Sequence, residues 1–336
     1  GDWSSDVCSS DLLRQWWGLG IGAVGLGATR TINVGTISPG SSSALTVCTF
    51  DNSTNGIFLL GNISSTIEGN TFTDINVGTS PAWRNNYTGQ CAIGSLGGNN
   101  LSILIDKNFF RGFVTGINVK NKRLSAIDIT GNVFNAPGSA TGITGIMMSK
   151  PNISIPFNNT INIAGNDINS VLRSGINITN ETNALLDGNS VSLNYSPPAR
   201  PVYGIWLQHC GNTIAKINDI TNSSTPTGSY GGLYGIAADF GTGASITSNH
   251  LFQLGNGITF RNVQSQQTVQ CNNIEDNWTG VWLSSSNIGN QLNNGTDQNN
   301  DWTLLGGGGA LRGIVATGTH WRKSSDLCPT IIQAAL

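Results

Sequence analysis

Charge is scarce in this chain. Only 10% of its 336 residues are Asp, Glu, Lys or Arg, and the formal net charge is −2. A nucleic-acid binder needs a basic footprint to neutralise phosphates, and none of that scale exists here. The low charge equally excludes a self-repelling disordered chain. Long apolar runs are missing too. No stretch of about twenty apolar residues could cross a bilayer as a helix, and the best candidate, residues 16–28, is interrupted by Gly. That stretch could at most be a degraded signal segment, since the chain does not begin with Met. Cysteines stand at 8, 48, 91, 210, 271 and 328, and no two form a CxxC pair. A zinc knuckle or a thioredoxin-like site is therefore unsupported; a disulfide framework is possible but not implied, and scattered buried thiols are expected. No cofactor and no metal ion is expected.

Gly and Asn are plentiful. With 44 Gly and 41 Asn, the two make up a quarter of the chain. Gly weakens helices, and Asn competes for their backbone hydrogen bonds, so short strands with many turns are expected. Residues 1–12 fit nothing downstream and resemble translated adaptor sequence, so they are set aside as a non-native leader. The chain is expected to be part of something longer.

Two templates recur. The first is an apolar residue, two others, Asn, one other, and an apolar residue. It runs from Ile67 through Asn70 to Phe72, and returns with its Asn at Asn108, Asn132, Asn166, Asn189, Asn218, Asn249 and Asn272. The spacings between these Asn residues are 38, 24, 34, 23, 29, 31 and 23. The second template is Gly followed by apolar, any, apolar. It begins at Gly56, Gly116, Gly145, Gly175, Gly204, Gly235, Gly257, Gly280 and Gly313. Both templates alternate with period two, so each predicts a short strand with one face inward. A minimum repeat of 23 residues with insertions predicts one turn of a solenoid, each turn carrying two or three strands. Stacked Asn amides can bond to the coils above and below, and Asn tolerates the left-handed turn region. The template Gly is expected to permit a sharp corner.

These repeats resemble the right-handed parallel β-helix of the pectate-lyase-like superfamily, over roughly residues 30–320. The resemblance implies an all-β solenoid of about ten or eleven coils over residues 13–320, with 321–336 as a tail or truncated continuation. Members of the class include polysaccharide lyases, galacturonan hydrolases, phage tailspikes, adhesins and large bacterial surface proteins. The Asn- and Gly-rich style resembles secreted bacterial surface proteins, which implies an extracellular or cell-surface location.

Chemistry is harder to find. The residue after each ladder Asn should point outward. In that column Asp219 and His250 should be neighbours, about 5 Å apart at Cα, and Asp167 should lie two coils from Asp219, about 10 Å. That spacing approaches the carboxylate separation of inverting glycosidases, so Asp167, Asp219 and His250 are the candidate catalytic residues. Neither the clustered carboxylates of a calcium-dependent lyase nor a Gly-His-Gly motif is present. A basic group, Lys107, Arg111, Lys120, Lys122 and Arg123, could hold a sugar carboxylate, although a solvated charged edge explains it as well.

Insertions at residues 76–90, 135–144, 192–203 and 221–234 all leave the repeat at the same turn and carry every Tyr of the chain. Trp83, Arg84, Tyr87, Tyr195, Arg200, Tyr203, Tyr230 and Tyr234 are therefore candidate ligand-binding residues. Trp206 and Trp282 join them, from the outward slot of the Gly-Ile strands. If the rings of Tyr203 and Tyr234 are exposed they can meet a ligand; otherwise such aromatics only pin the long loops onto the body. Three functions fit: a non-catalytic module binding polysaccharide or a surface glycan, a polysaccharide lyase or glycoside hydrolase, and a spacer. The first is favoured, without nucleic acid or a membrane span among its partners.

Overall fold

The computed structural model describes residues 19–35, 48–51, 53–75, 90–135, 144–150, 159–194, 201–222, 232–263, 266–286, 301–303 and 312–317. Every regular element among them is a strand, and these strands pair in parallel. The chain divides into two compact units, Gly1–Val171 and Leu172–Leu336.

In the first unit each complete coil supplies three strands. The Gly-Ile template forms Cys91–Leu96, Thr115–Lys120 and Thr144–Ser149. The segment before the ladder Asn forms Ser102–Asp106, Ala126–Thr130 and Thr160–Ala164. The segment after it forms Thr71–Ile75, Phe109–Phe113, Val133–Asn135 and Asp167–Val171. The strand Asn55–Glu68 runs through two of these positions without a break and pairs with Leu19–Val34. Each position stacks on its counterpart in the next coil, so like packs on like. Phe50, Phe72, Phe110 and Phe134 form a face-to-face file with ring centroids 4.8, 4.9 and 4.5 Å apart. Those spacings follow the distance between hydrogen-bonded strands. Ile57, Ile93, Ile117 and Ile146 form a second file with no exposed surface.

The second unit repeats the plan. Its Gly-Ile strands are Ser174–Thr179, Val202–Gln208, Leu233–Asp239, Asn256–Arg261, Thr279–Ser284 and Arg312–Thr317. The strands after the Asn are Ser190–Leu193, Asp219–Asn222, His250–Phe252, Asn273–Glu275 and Asp301–Thr303. Ile176, Ile205, Ile236 and Ile258 stack without exposure.

The Asn ladder exists in both units. Asn70 donates from its backbone and its Nδ2 to Asn108 Oδ1, at 2.9 and 3.0 Å, and Asn108 and Asn132 do the same to the next Asn. In the second unit Asn189, Asn218 and Asn249 repeat the pattern up to Asn272. The second amide hydrogen reaches a backbone carbonyl, as from Asn218 to Leu186 at 3.1 Å. Inside the ladder, buried Asn is tolerated because neighbouring coils pair its polar atoms; Asn70 Oδ1, in the first Asn of the file, is the exception among these ladder residues.

Two details differ from expectation. The left-handed residue is the one before the ladder Asn, not the Asn itself: Gly69, Lys107, Gly131, Gly165, Gly188, Ile217, Ser248 and Cys271 all have φ between 52° and 69°. The Asn side chain bonds along the axis, while the preceding residue turns the backbone. The template Gly, in turn, is required by close approach rather than by a turn. A Cβ on Gly116 would come 2.4 Å from the Phe134 ring, and one on Gly204 would come 2.4 Å from Ile220.

Cys91 and Cys210 are buried thiols and Cys271 is exposed, but Cys48 is disulfide-bonded, so the expectation of thiols holds only in part. Lys122 of the first unit is 1% exposed and donates to the Gly97 carbonyl. Burial lowers its pKa from 10.5 to about 7. Between those values the unfolded chain holds more protons than the native one, so this residue makes stability rise with pH from about 7 to 10.5. Lys122→Met should raise the urea midpoint at pH 7, and its advantage over the wild type should fade by pH 10. An unchanged pH dependence in the variant would contradict this.

Candidate functional site

The outer face of the Gly-Ile strands in the second unit gathers most of the polar and aromatic chemistry. Trp206, Ala237, Thr259 and Trp282 occupy one register column, so the two Trp residues stand three coils apart, as the repeat predicted. Tyr203, Tyr234, Asn256 and Thr279 fill a neighbouring column, at the start of the same strands. Gln208, Asp239, Arg261 and Ser284 fill a third.

These columns meet. The Trp206 ring stacks on Tyr203 at 4.3 Å, Tyr203 on Tyr234 at 4.9 Å, and Tyr234 faces Trp282 at 6.3 Å, with interplanar angles of 12°, 13° and 10°. Arg261 lies over both tyrosines, 5.6 and 5.3 Å from their centroids, within cation–π range. Its Nε and Nη2 donate to Asp239 at 2.6 and 2.5 Å, and Nη2 also donates to the Tyr203 hydroxyl at 3.1 Å. Trp206 Nε1 donates to the same Asp239 carboxylate at 2.8 Å. Burial works against the charge on Arg261, but the bonds to Asp239 and Tyr203 outweigh it and hold the guanidinium above its ordinary pKa. The pair closes on itself, so the face carries aromatic surface and little net charge.

Tyr203 and Tyr234 are only 4% and 5% exposed, so they offer little free ring surface themselves. The stacked arrangement turns them into a pedestal, against which the partly buried Trp206 and Trp282 pack. The sequence reading missed Asp239 and Arg261. A signal existed: each stands four residues after a template Gly, so aligned coils place opposite charges side by side. Trp83, Arg84, Tyr87, Tyr195, Arg200 and Tyr230 lie outside the described residues.

The column after the ladder Asn holds a second group. Asp219 and His250 are register partners, and His250 Nδ1 lies 2.8 Å from Asp219 Oδ1. Glu275, which the sequence reading did not single out, approaches His250 Nε2 at 3.6 Å from the next coil. The imidazole thus fills the space between two carboxylates, where an inverting hydrolase would keep its water. Asp167 belongs to the first unit, where Asn169 Nδ2 donates to it at 3.0 Å. The basic group of that unit is dispersed: Lys107 pairs with Asp106 at 2.8 Å, and Lys122 is buried.

Stacked parallel strands, a buried Asn ladder and files of like residues define a right-handed parallel β-helix repeat protein. Residues 126–303 match the family described as periplasmic copper-binding protein (NosD), and the chain belongs to that family. No curated protein matches the chain. Among solved structures, it is similar to a GH136 lacto-N-biosidase from Eubacterium ramulus, with 12% identity and a TM-score of 0.46, over 89% of this chain and 58% of that one. The chain therefore spans little more than half of that enzyme's length. It is also similar to the Streptococcus pneumoniae surface protein and adhesin PfbA, with 12% identity and a TM-score of 0.36, over 88% of this chain and 92% of that one.

Copper is part of the family's description, and that ion needs a cluster of His, Cys or Met donors. Among the described residues no group of three or more His, Cys, Asp or Glu could hold a metal ion. Both His250 nitrogens face carboxylates, the Cys210 thiol donates to the Ile178 and Gln208 carbonyls, and Met148 is buried. These residues do not fit a copper site. Nor is any helix among the described residues long and apolar enough to cross a membrane.

Proposed function

We propose that the second unit binds an uncharged polysaccharide or surface glycan on the Trp206–Trp282 face, without catalysis, in the cell envelope or outside the cell. The observation that carries this reading is the near-parallel series of rings ending in partly exposed indoles. Flat apolar faces with polar tips suit sugar rings. The Arg261–Asp239 pair supports the choice of a neutral ligand, because each charge already has its partner. The envelope location is supported by the family's description as periplasmic.

Affinity electrophoresis against neutral and acidic polysaccharides tests the reading. Retardation by a neutral glycan that changes little with salt is the expected result. Trp206→Ala should weaken that binding about fivefold to tenfold, given roughly 1 kcal/mol per aromatic contact. Binding confined to acidic glycans, or lost at moderate salt, would refute it.

The alternative is a lyase or glycoside hydrolase acting through Asp219 and His250, favoured by their 2.8 Å contact. Release of reducing ends or unsaturated products that disappears in Asp219→Asn would establish it in place of pure binding.

A further inference from the structure

One corner of the second unit breaks the pattern of its neighbours. Asn180, His209, Phe240 and Asn262 occupy the same backbone position in four successive coils. Each has φ between 52° and 60°, and each donates its N–H to a carbonyl of the next coil, those of Gln208, Asp239, Arg261 and Ser284. Asn suits that left-handed conformation. His tolerates it as well, but Phe does not, and a bulky aromatic there is a strained outlier. Phe240 is nevertheless 53% exposed, and its ring stacks on His209 at 4.8 Å with an interplanar angle of 9°.

Exposed apolar residues also hold left-handed corners at Leu124 and Ile217, but here the corner ring stacks face to face on an aromatic ring of the neighbouring coil, where the flanking coils keep Asn. The two coils that carry His209 and Phe240 are also those that carry Tyr203, Trp206, Tyr234 and Asp239. The aromatic corner follows directly on Gln208 and Asp239, so it continues the proposed glycan face rather than forming a separate patch. Trp206 and His209 are three residue steps apart along the chain, roughly 10 Å at strand rise.

We infer that the stacked His209–Phe240 pair is a second, outer subsite for the same neutral glycan, taking a sugar residue further along the chain than the one on Trp206. This rests on the binding reading above. It predicts that a short ligand ignores the corner and a long one uses it.

The test is Phe240→Asn, which installs the residue that the flanking coils already have. Binding is measured by calorimetry with neutral disaccharides and hexasaccharides of β-1,4-, β-1,3- and α-1,3-glucan. For a glucan that the wild type binds, hexasaccharide affinity should fall about fivefold while disaccharide affinity stays the same. The urea midpoint should be unchanged or higher, because strain is relieved. An equal effect on both lengths, or none on either, overturns the subsite and leaves the Trp206 reading standing. A lower urea midpoint would show that the pair is structural and also overturns it. If no glucan binds the wild type while the midpoint is unchanged, both readings fall together.

Discussion

Asp239→Ala is expected to destabilise the second unit by about 3–5 kcal/mol, the usual cost of removing one partner from a buried ion pair. Three donors lose their acceptor at once: Arg261 Nε, Arg261 Nη2 and Trp206 Nε1. The Asp239 side chain is only 10% exposed and that of Arg261 25%, so water can compensate only in part. The double variant Asp239→Ala/Arg261→Met should recover much of the loss, because it leaves no uncompensated charge under the rings. Urea unfolding followed by Trp fluorescence measures this cycle. If the single variant unfolds like the wild type, the pair is not what holds the ring series in place.

Asn218→Ala should cost a similar amount, roughly 3–5 kcal/mol, by orphaning several buried groups at about 1–3 kcal/mol each. Asn218 Oδ1 accepts from the Asn189 backbone and side chain, and its Nδ2 donates to Leu186 O and Asn249 Oδ1. Asn70→Ala in the first unit should cost less, because among the described residues no donor reaches Asn70 Oδ1. Comparing the two urea midpoints separates a ladder whose bonds work in both directions from one in which only donation matters. Equal losses would contradict the two-sided account.

The fold was legible because it repeats. Once Asn70, Asn108 and Asn132 are aligned, one-dimensional stacking leaves a single place for each side chain, and the Asp219–His250 contact could be predicted from register alone. The physical role of individual residues was less legible. Period-two patterning gives the face of a strand but not the backbone angle of a corner, so the left-handed turn was assigned to the Asn rather than to the residue before it. Burial on the outer face was missed for a related reason. Trp206 occupies an outward slot and Tyr203 ends an insertion, yet rings stacked 4.3 and 4.9 Å apart bury one another, and a sequence does not show such cover. Asp239 and Arg261 could have been found, since they differ by one coil at the same offset from Gly. Low overall charge drew attention to clusters along the chain rather than to pairs across it.

The central claim is that a neutral glycan lies on the indoles of Trp206 and Trp282. The most direct measurement is the indole N–H spectrum of the nitrogen-15-labelled protein during titration with a neutral oligosaccharide that binds it. The account predicts that, of the chain's 9 Trp residues, the Trp206 and Trp282 signals, assigned by Trp→Phe substitution, shift in a saturable way. Saturable binding that leaves both signals in place and moves others would contradict it.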